Sequence, residues 1–327
     1  MYALDKNILN LSVMENPGRC ACRAATANFP RGFPQALPEP RKHQGANMAS
    51  SEMVVSDLRK TYGYGQKEKI ILEDCSFTLR DGEITVLIGP SGSGKSTLVN
   101  LLAGYEMPDS GNITLDGVKV KGPGGDRLVV FQETALFPWM STYSNVAFGP
   151  LAQRKIAAAQ VEARVSALLE KVGLQDFRNK YPSHLSGGMQ RRCELARMLA
   201  NMPKVMMLDE PFRGLDAMTR EIMQEYFVRL LEEQKGTVLF ITSEIDEAIF
   251  MADRLLIMSN APGRIIKEIK IDLPRPREKE ILLSSKVQRY KRDALELLHA
   301  EALKAFSSGS RAVQDFLEGY ERQQELV

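Results

Sequence analysis

The stretch that decides the fold is Gly89-Pro90-Ser91-Gly92-Ser93-Gly94-Lys95-Ser96, which fits the phosphate-loop pattern GxxxxGK followed by Ser or Thr. A continuous apolar run of strand length, residues 84–88, comes just before it. Residues 96–102 follow with the pattern of a helix. Strand, glycine loop and helix is the order that a phosphate-binding loop requires, and a flexible Gly/Ser turn does not account for all three parts.

The loop predicts a binding site for a nucleoside triphosphate such as ATP. Its backbone N–H groups and the helix N-terminus would face the β and γ phosphates. Lys95 would add a point charge, and the Ser96 hydroxyl would bind Mg²⁺. The predicted phosphate-binding residues are Gly89, Pro90, Ser91, Gly92, Ser93, Gly94, Lys95, Ser96 and Thr97.

A second apolar run, residues 205–208, ends in Asp209 and Glu210. Ligands of open α/β sheets bind beyond the carboxyl ends of the strands, so two acids at this position suggest a bound cation. We expect Asp209 to hold the Mg²⁺ shell and Glu210 to orient or deprotonate the attacking water. Alone the pair is modest evidence, because acids often end strands at a surface; beside the phosphate loop it is stronger.

Between these two elements lies Leu185-Ser186-Gly187-Gly188, which opens a segment with helical spacing. By itself this is a capped helix start. Placed downstream of a phosphate loop and upstream of a strand ending in Asp-Glu, it resembles the arrangement of ABC-type ATPases. That resemblance implies an α/β domain with a mixed sheet core, an antiparallel β subdomain and a helical subdomain. Residues 153–172 have helical spacing up to Gly173 and are expected in the helical subdomain.

The resemblance also assigns roles to single residues. Tyr62 matches the aromatic residue on which adenine stacks, with Tyr64 as a competitor and an ordinary strand-edge tyrosine as the alternative. Gln132 matches the glutamine that touches Mg²⁺ and the attacking water. Asp216 matches the residue that contacts a partner subunit.

The family resemblance further implies a homodimer. The phosphate loop of one copy and Ser186, Gly187 and Gly188 of another would touch the same ATP. One copy of the chain is therefore expected to hold an incomplete site, and two copies would enclose two ATP molecules.

One position departs from the family pattern. The strand after Asp216 ends in Thr-His in the family, whereas here Ser243 follows Thr242. A serine hydroxyl donates one hydrogen bond but is shorter than histidine and carries no charge. We expect hydrolysis to survive because Glu210 supplies the base; the alternative is a weak or inactive ATPase.

Residues 131–149, 209–220, 262–264 and 273–277 resemble the ATP-binding subunits of nitrate, sulfonate and taurine importers. The resemblance covers Val54 to Arg277. It implies separate permease polypeptides, a periplasmic or lipoprotein solute-binding protein that acts indirectly, and a peripheral location at the cytoplasmic face of the inner membrane. Leu136, Phe137 and Trp139 would form the edge of the groove that receives the permease; the alternative is that one or two of them, Phe137 above all, belong to the core.

Composition and net charge argue against a membrane-spanning chain, a nucleic-acid-binding protein and a disulfide or metal framework. The chain has 327 residues, 44% hydrophobic and 26% charged, with no apolar run long enough to span a membrane. The net charge of +2 gives no argument for nucleic acid, and the four cysteines form no disulfide framework or paired CxxC site. We expect a disordered extension over residues 1–50, the ATP-binding domain over 51–275 and a helical C-terminal extension over 276–327.

Residues 275–292, where the domain passes into the extension, form a basic amphipathic pattern. Two alternatives are open for this segment: packing on its own domain, or contact with a regulator or an anionic membrane surface.

Two other classes of ATPase share the sequence motifs described above. A DNA-repair or chromosome ATPase needs long coiled coils, and a translation-associated ATPase normally has two such domains, so the chain length disfavours both. The sequence does not name the transported solute.

Overall fold

Four short strands in which every residue is buried form the centre of the molecule: β3 (Ile84–Ile88), β7 (Val205–Asp209), β8 (Thr237–Ile241) and β9 (Arg254–Met258). They belong to a computed structural model that describes residues 51–63, 65, 68–154, 156–234 and 236–307. The expectations placed on residues 1–50, on Tyr64 and on the chain beyond residue 307 lie outside these ranges. Continuous apolar runs of this kind are typical of parallel strands covered on both faces.

The central sheet has six strands in the order β10-β9-β3-β8-β7-β6, where β6 is Arg127–Val130 and β10 is Ile265–Lys270. All neighbours are parallel except the edge pair β9 and β10. The carboxyl ends of β3, β6, β7 and β8 therefore share one edge of the sheet. That edge is where the motifs of the sequence meet.

A second sheet is antiparallel, with the order β2-β1-β4-β5. Its strands are β1 (Met53–Tyr62), β2 (Lys69–Leu79), β4 (Ser110–Leu115) and β5 (Val118–Lys119). Buried residues of this sheet, such as Leu58 and Leu79, share one apolar cluster with Leu98 and Leu102 of the first helix. The mixed core and the antiparallel sheet predicted from the sequence are both present.

Seven α-helices lie in the described ranges: α1 (Lys95–Ala103), α2 (Thr142–Gln153), α3 (Ala158–Lys171), α4 (Gly187–Ala200), α5 (Ala217–Gln234), α6 (Ile245–Met251) and α7 (Ser285–Ser307). Short 3₁₀ helices cover Gln175–Phe177, Pro182–His184 and Lys279–Leu283. Helices α2, α3 and α4 pack on one another and form the helical part predicted from the sequence. The helix expected over 153–172 begins later, at Ala158, because Arg154 ends α2 in a left-handed conformation.

The described part of the C-terminal extension packs on its own domain. Val287 and Ala294 of α7 are fully buried. Two of its basic side chains are paired with carboxylates of the preceding domain: Lys291 lies 2.8 Å from Asp246, and Lys286 lies 2.7 Å from Asp272. These contacts favour the packing alternative over a membrane surface. Among the described residues, no helix combines the length and apolarity that crossing a bilayer requires.

Candidate functional site

A cleft of 650 Å³ opens at the shared carboxyl edge of the central sheet. Four segments that follow central strands contribute to its lining, together with single residues of β2, α5 and α6: the phosphate loop after β3, Gln132 after β6, the acids at the end of β7 and the turn after β8. Its lining residues are Ile71, Ser91, Gly92, Gly94, Lys95, Ser96, Thr97, Gln132, Asp209, Glu210, Phe212, Arg213, Arg220, Thr242, Ser243, Glu244 and Glu247. The parallel register of the strands brings these distant segments together.

The phosphate loop has the backbone that its glycines predict. Gly92 and Gly94 have φ of +80° and +95°, values that residues with a side chain rarely adopt. A Cβ on Gly94 would lie 2.8 Å from Leu72, whereas one on Gly92 would meet no atom within 4 Å. Within the described chain, the buried Ser93 hydroxyl has no hydrogen-bond partner. An unpaired buried hydroxyl within the loop is compatible with a phosphate ligand bound there.

Lys95 begins helix α1 and folds over the loop. Its Nζ donates to the carbonyls of Gly89 at 2.8 Å and Pro90 at 2.9 Å. Burial lowers the pKa of Lys95, and the charges of Glu210 and Asp209 partly oppose that effect. The ammonium therefore lies between the phosphate loop and the two acids, where a phosphate charge would stabilise it.

Asp209 is buried at the end of β7, and burial raises its pKa. A hydrogen bond with Ser96 and the charge of Lys95 act in the opposite direction, while Glu210 adds to the increase. The cleft thus gathers a carboxylate, a hydroxyl and the Gln132 amide, which are hard oxygen donors suited to Mg²⁺. These residues fit the magnesium site predicted from the sequence.

Glu210 follows Asp209 with φ of +43°, a left-handed conformation that is strained for a residue with a side chain. Its backbone N–H donates to the Ile241 carbonyl at 2.9 Å, which fixes it against β8. Its carboxylate accepts from Arg213 Nη1 at 3.0 Å. Sequence reasoning missed Arg213, because neither its type nor its spacing distinguishes it from an ordinary surface arginine.

Ser243 lies at the mouth of the same cleft and is exposed. Arg220 and Glu244 lie beside it, with 4.0 Å between Nη1 and Oε1. Glu247 is buried and accepts from Gln224 Nε2 at 2.6 Å; burial raises its pKa. The two histidines within the described ranges, His184 and His299, do not line the cleft.

Tyr62 ends β1 outside the cleft lining, with 40% of its surface exposed. Its hydroxyl donates to Glu106 at 2.6 Å, and the Lys60 ammonium lies 5.3 Å from its ring centroid. Burial raises the pKa of Tyr62, Glu106 adds to the increase, and Thr97 of helix α1 opposes it. Its role in stacking adenine stays a prediction.

Ser186, Gly187 and Gly188 line a different cleft, of 610 Å³, together with Asp216. Ser186 caps helix α4 by accepting from the Met189 N–H at 3.3 Å. The two clefts share no lining residue. Within one chain, the Leu-Ser-Gly-Gly segment therefore does not contribute to the lining of the cleft that holds the phosphate loop.

The segment from Leu136 to Trp139 carries an exposed apolar surface. Trp139 is 70% exposed, and its ring centroid lies 5.6 Å from that of the half-buried Phe137. Phe137 also contacts Phe148 edge-on at 5.0 Å. Asn145 fixes the segment by bonding both the N–H and the carbonyl of Phe137, at 2.8 and 3.1 Å. Trp139 is thus a surface residue, whereas Phe137 is partly structural.

This fold and cleft define an α/β phosphate-loop nucleotide-binding domain. Residues 72–213 match the ABC transporter family. The chain is similar to the nitrate import ATP-binding protein NrtD of Synechococcus elongatus, with 41% identity over 73% of this chain and 89% of the relative. It is also similar to the taurine import ATP-binding protein TauB of Pseudomonas aeruginosa, with 45% identity over 69% of this chain and 85% of the relative.

Among solved structures, the chain resembles a dimeric ATP-binding cassette in a post-hydrolysis state, bound to ADP and Pi. The TM-score is 0.60 at 28% identity, over 68% of this chain and 100% of the other. The chain therefore belongs to the ABC transporter family as an ATP-binding subunit with ATPase activity. The DNA-repair and translation-associated alternatives are not favoured.

Proposed function

We propose that this chain is the ATP-hydrolysing subunit of an ABC importer for nitrate, taurine, another sulfonate or a related small solute. Two copies enclose two ATP molecules and drive separate permease subunits, with a solute-binding protein acting indirectly. The subunit works at the cytoplasmic face of the inner membrane. The relatives named as nitrate and taurine importers support the solute class.

One observation carries the ATPase proposal: the phosphate loop and the pair Asp209-Glu210 line the same cleft. A phosphate loop alone binds phosphate. A carboxylate base beside it adds the means to activate a water molecule at the γ phosphate.

The predicted site residues have separate roles in ATP binding and hydrolysis. Loop N–H groups and Lys95 bind the β and γ phosphates and hold the reacting phosphoryl group in place. Glu210 accepts a proton from the attacking water, and Gln132 orients that water. The Ser243 hydroxyl donates one hydrogen bond to the γ phosphate. Tyr62 stacks on adenine.

Ser96, Gln132 and Asp209 would hold Mg²⁺. When bound, the ion neutralises charge that develops on the phosphate oxygens. Burial of Asp209 limits competing water and strengthens the attraction of this carboxylate for a cation.

The second copy completes the site. Ser186, Gly187 and Gly188 line a separate cleft with Asp216, so we assign them to the ATP molecule held by the partner's phosphate loop. The exposed ring of Trp139, with Leu136 and Phe137, contacts the permease.

The test is ATP hydrolysis by Lys95→Ala beside the wild type, with Lys119→Ala as the control. Lys119 is exposed at the end of β5, away from the cleft lining. We expect the loss of Lys95 to lower turnover by about 100-fold or more, because it removes a charge next to the transferred phosphoryl group. Undiminished hydrolysis in that variant would reject the phosphate-loop assignment.

A further inference from the structure

Arg213 connects two groups that the proposed reaction needs. Its Nη1 donates to Glu210 Oε2 at 3.0 Å. With the Gln132 amide oriented so that its oxygen faces the guanidinium, Oε1 accepts from Nη1 at 3.1 Å and from Nε at 3.3 Å. A planar guanidinium can serve both acceptors at once, which a lysine cannot do with the same geometry.

The backbone around Gln132 is hydrogen-bonded to side chains of helix α4. The buried Arg191 donates to the carbonyls of Phe131 at 2.8 Å and Gln132 at 2.5 Å. Its partner Glu194, equally buried and 2.7 Å away, accepts from the Ala135 N–H. Movement of the helix that begins at Gly187 would therefore carry the segment 131–135 with it.

Glu210, in contrast, is fixed to the central sheet through its backbone bond with Ile241. The side-chain contacts of Arg213 thus span the boundary between the α4-bound segment and the sheet-bound base. The same segment continues to the exposed Trp139, seven positions after Gln132 in the sequence.

We propose that Arg213 is a positioning residue that couples the segment 131–139 to the base Glu210. A shift of that segment on nucleotide binding changes the orientation of Glu210, and the reverse also holds. The inference rests on the proposed ATPase function and adds a residue to it. Arg213 itself does not need to touch ATP.

The experiment compares the full-length wild type with Arg213→Ala and Arg213→Lys. Arg292→Ala is the matched control, because the Arg292 side chain is 68% exposed against 62% for Arg213 and lies outside the cleft lining. Three quantities are measured: kcat and KM for MgATP, ATP affinity by calorimetry, and the emission of Trp139. That residue is the only tryptophan of the chain, so its emission reports on the coupled segment.

We expect the emission of the wild type and of Arg292→Ala to shift when MgATP is added. In Arg213→Ala this shift should be smaller, because only the direct contact of Gln132 with MgATP remains, and kcat should fall by roughly 10- to 100-fold through misplacement of the base. KM and ATP affinity should stay within about twofold, since the phosphate contacts remain. Arg213→Lys should recover part of kcat, because an ammonium keeps one of the two contacts.

Three results would overturn the proposal. In the first, Arg213→Ala keeps wild-type kcat and the full emission shift. In the second, kcat and ATP affinity fall together, which would indicate a structural role. In the third, ATP binds to the wild type without changing the emission of Trp139. Absence of hydrolysis in the wild type would instead refute the ATPase proposal, while calorimetry and emission would still test the Arg213 coupling.

Discussion

Replacing Ser243 with histidine tests how this protein stabilises the γ phosphate. An imidazole reaches further than a hydroxymethyl group and can carry a positive charge. Ser243 is exposed at the mouth of the cleft, so the larger ring has room and needs no rearrangement of the core. We therefore expect Ser243→His to fold normally and to hydrolyse ATP faster than the wild type.

The magnitude follows from the surroundings of Ser243. A hydrogen bond to a charged group contributes about 1.5–3 kcal/mol. The exposed position screens part of that energy, and the nearby Arg220 already supplies positive charge. A gain of about 1–1.5 kcal/mol in the transition state remains, which corresponds to a roughly 5- to 12-fold rise in kcat.

The assay is steady-state ATP hydrolysis, measured on the purified subunit and again with its permease present. Ser243→Asn is the control, because its side chain adds volume and a neutral donor but no charge. A rise in the histidine variant alone supports the electrostatic reasoning. A large drop on introducing histidine would refute it, since the site would then have repacked around serine.

Two further predictions concern the base and the permease surface. Glu210→Gln should keep ATP binding and lower hydrolysis by about 100-fold or more, because the amide cannot accept the proton; a dimer should then appear in size-exclusion chromatography with MgATP, and strictly monomeric elution would contradict the two-copy site. Trp139→Ala should change the free energy of unfolding by less than about 0.5 kcal/mol, because 70% of the residue is exposed. The same change should weaken capture of the permease by about 2 kcal/mol, while a clear loss of thermal stability would place Trp139 in the core.

Local sequence was sufficient for the phosphate loop and the two acids. The residues of each motif are adjacent in the chain, and their chemistry follows from the backbone that they specify. Glycine at 92 and 94 allows the positive φ of the loop, and the apolar runs before the loop and before Asp209 form buried strands. The start of α3 was harder to predict, because the left-handed turn at Arg154 interrupts an otherwise helical pattern.

The tertiary structure decided how these pieces combine. Gln132, Glu210 and Ser243 meet because β6, β7 and β8 are parallel neighbours, and their order in the sheet cannot be read from their order in the chain. Arg213 and Arg220 line the same cleft, and this could not be predicted from the sequence, because the role of an arginine depends on the groups that the fold places near its guanidinium. The sequence by itself determined which groups are candidates to bind phosphate and activate water. Strand order and helix packing determined which of them share a cleft, because those contacts join residues far apart in the chain.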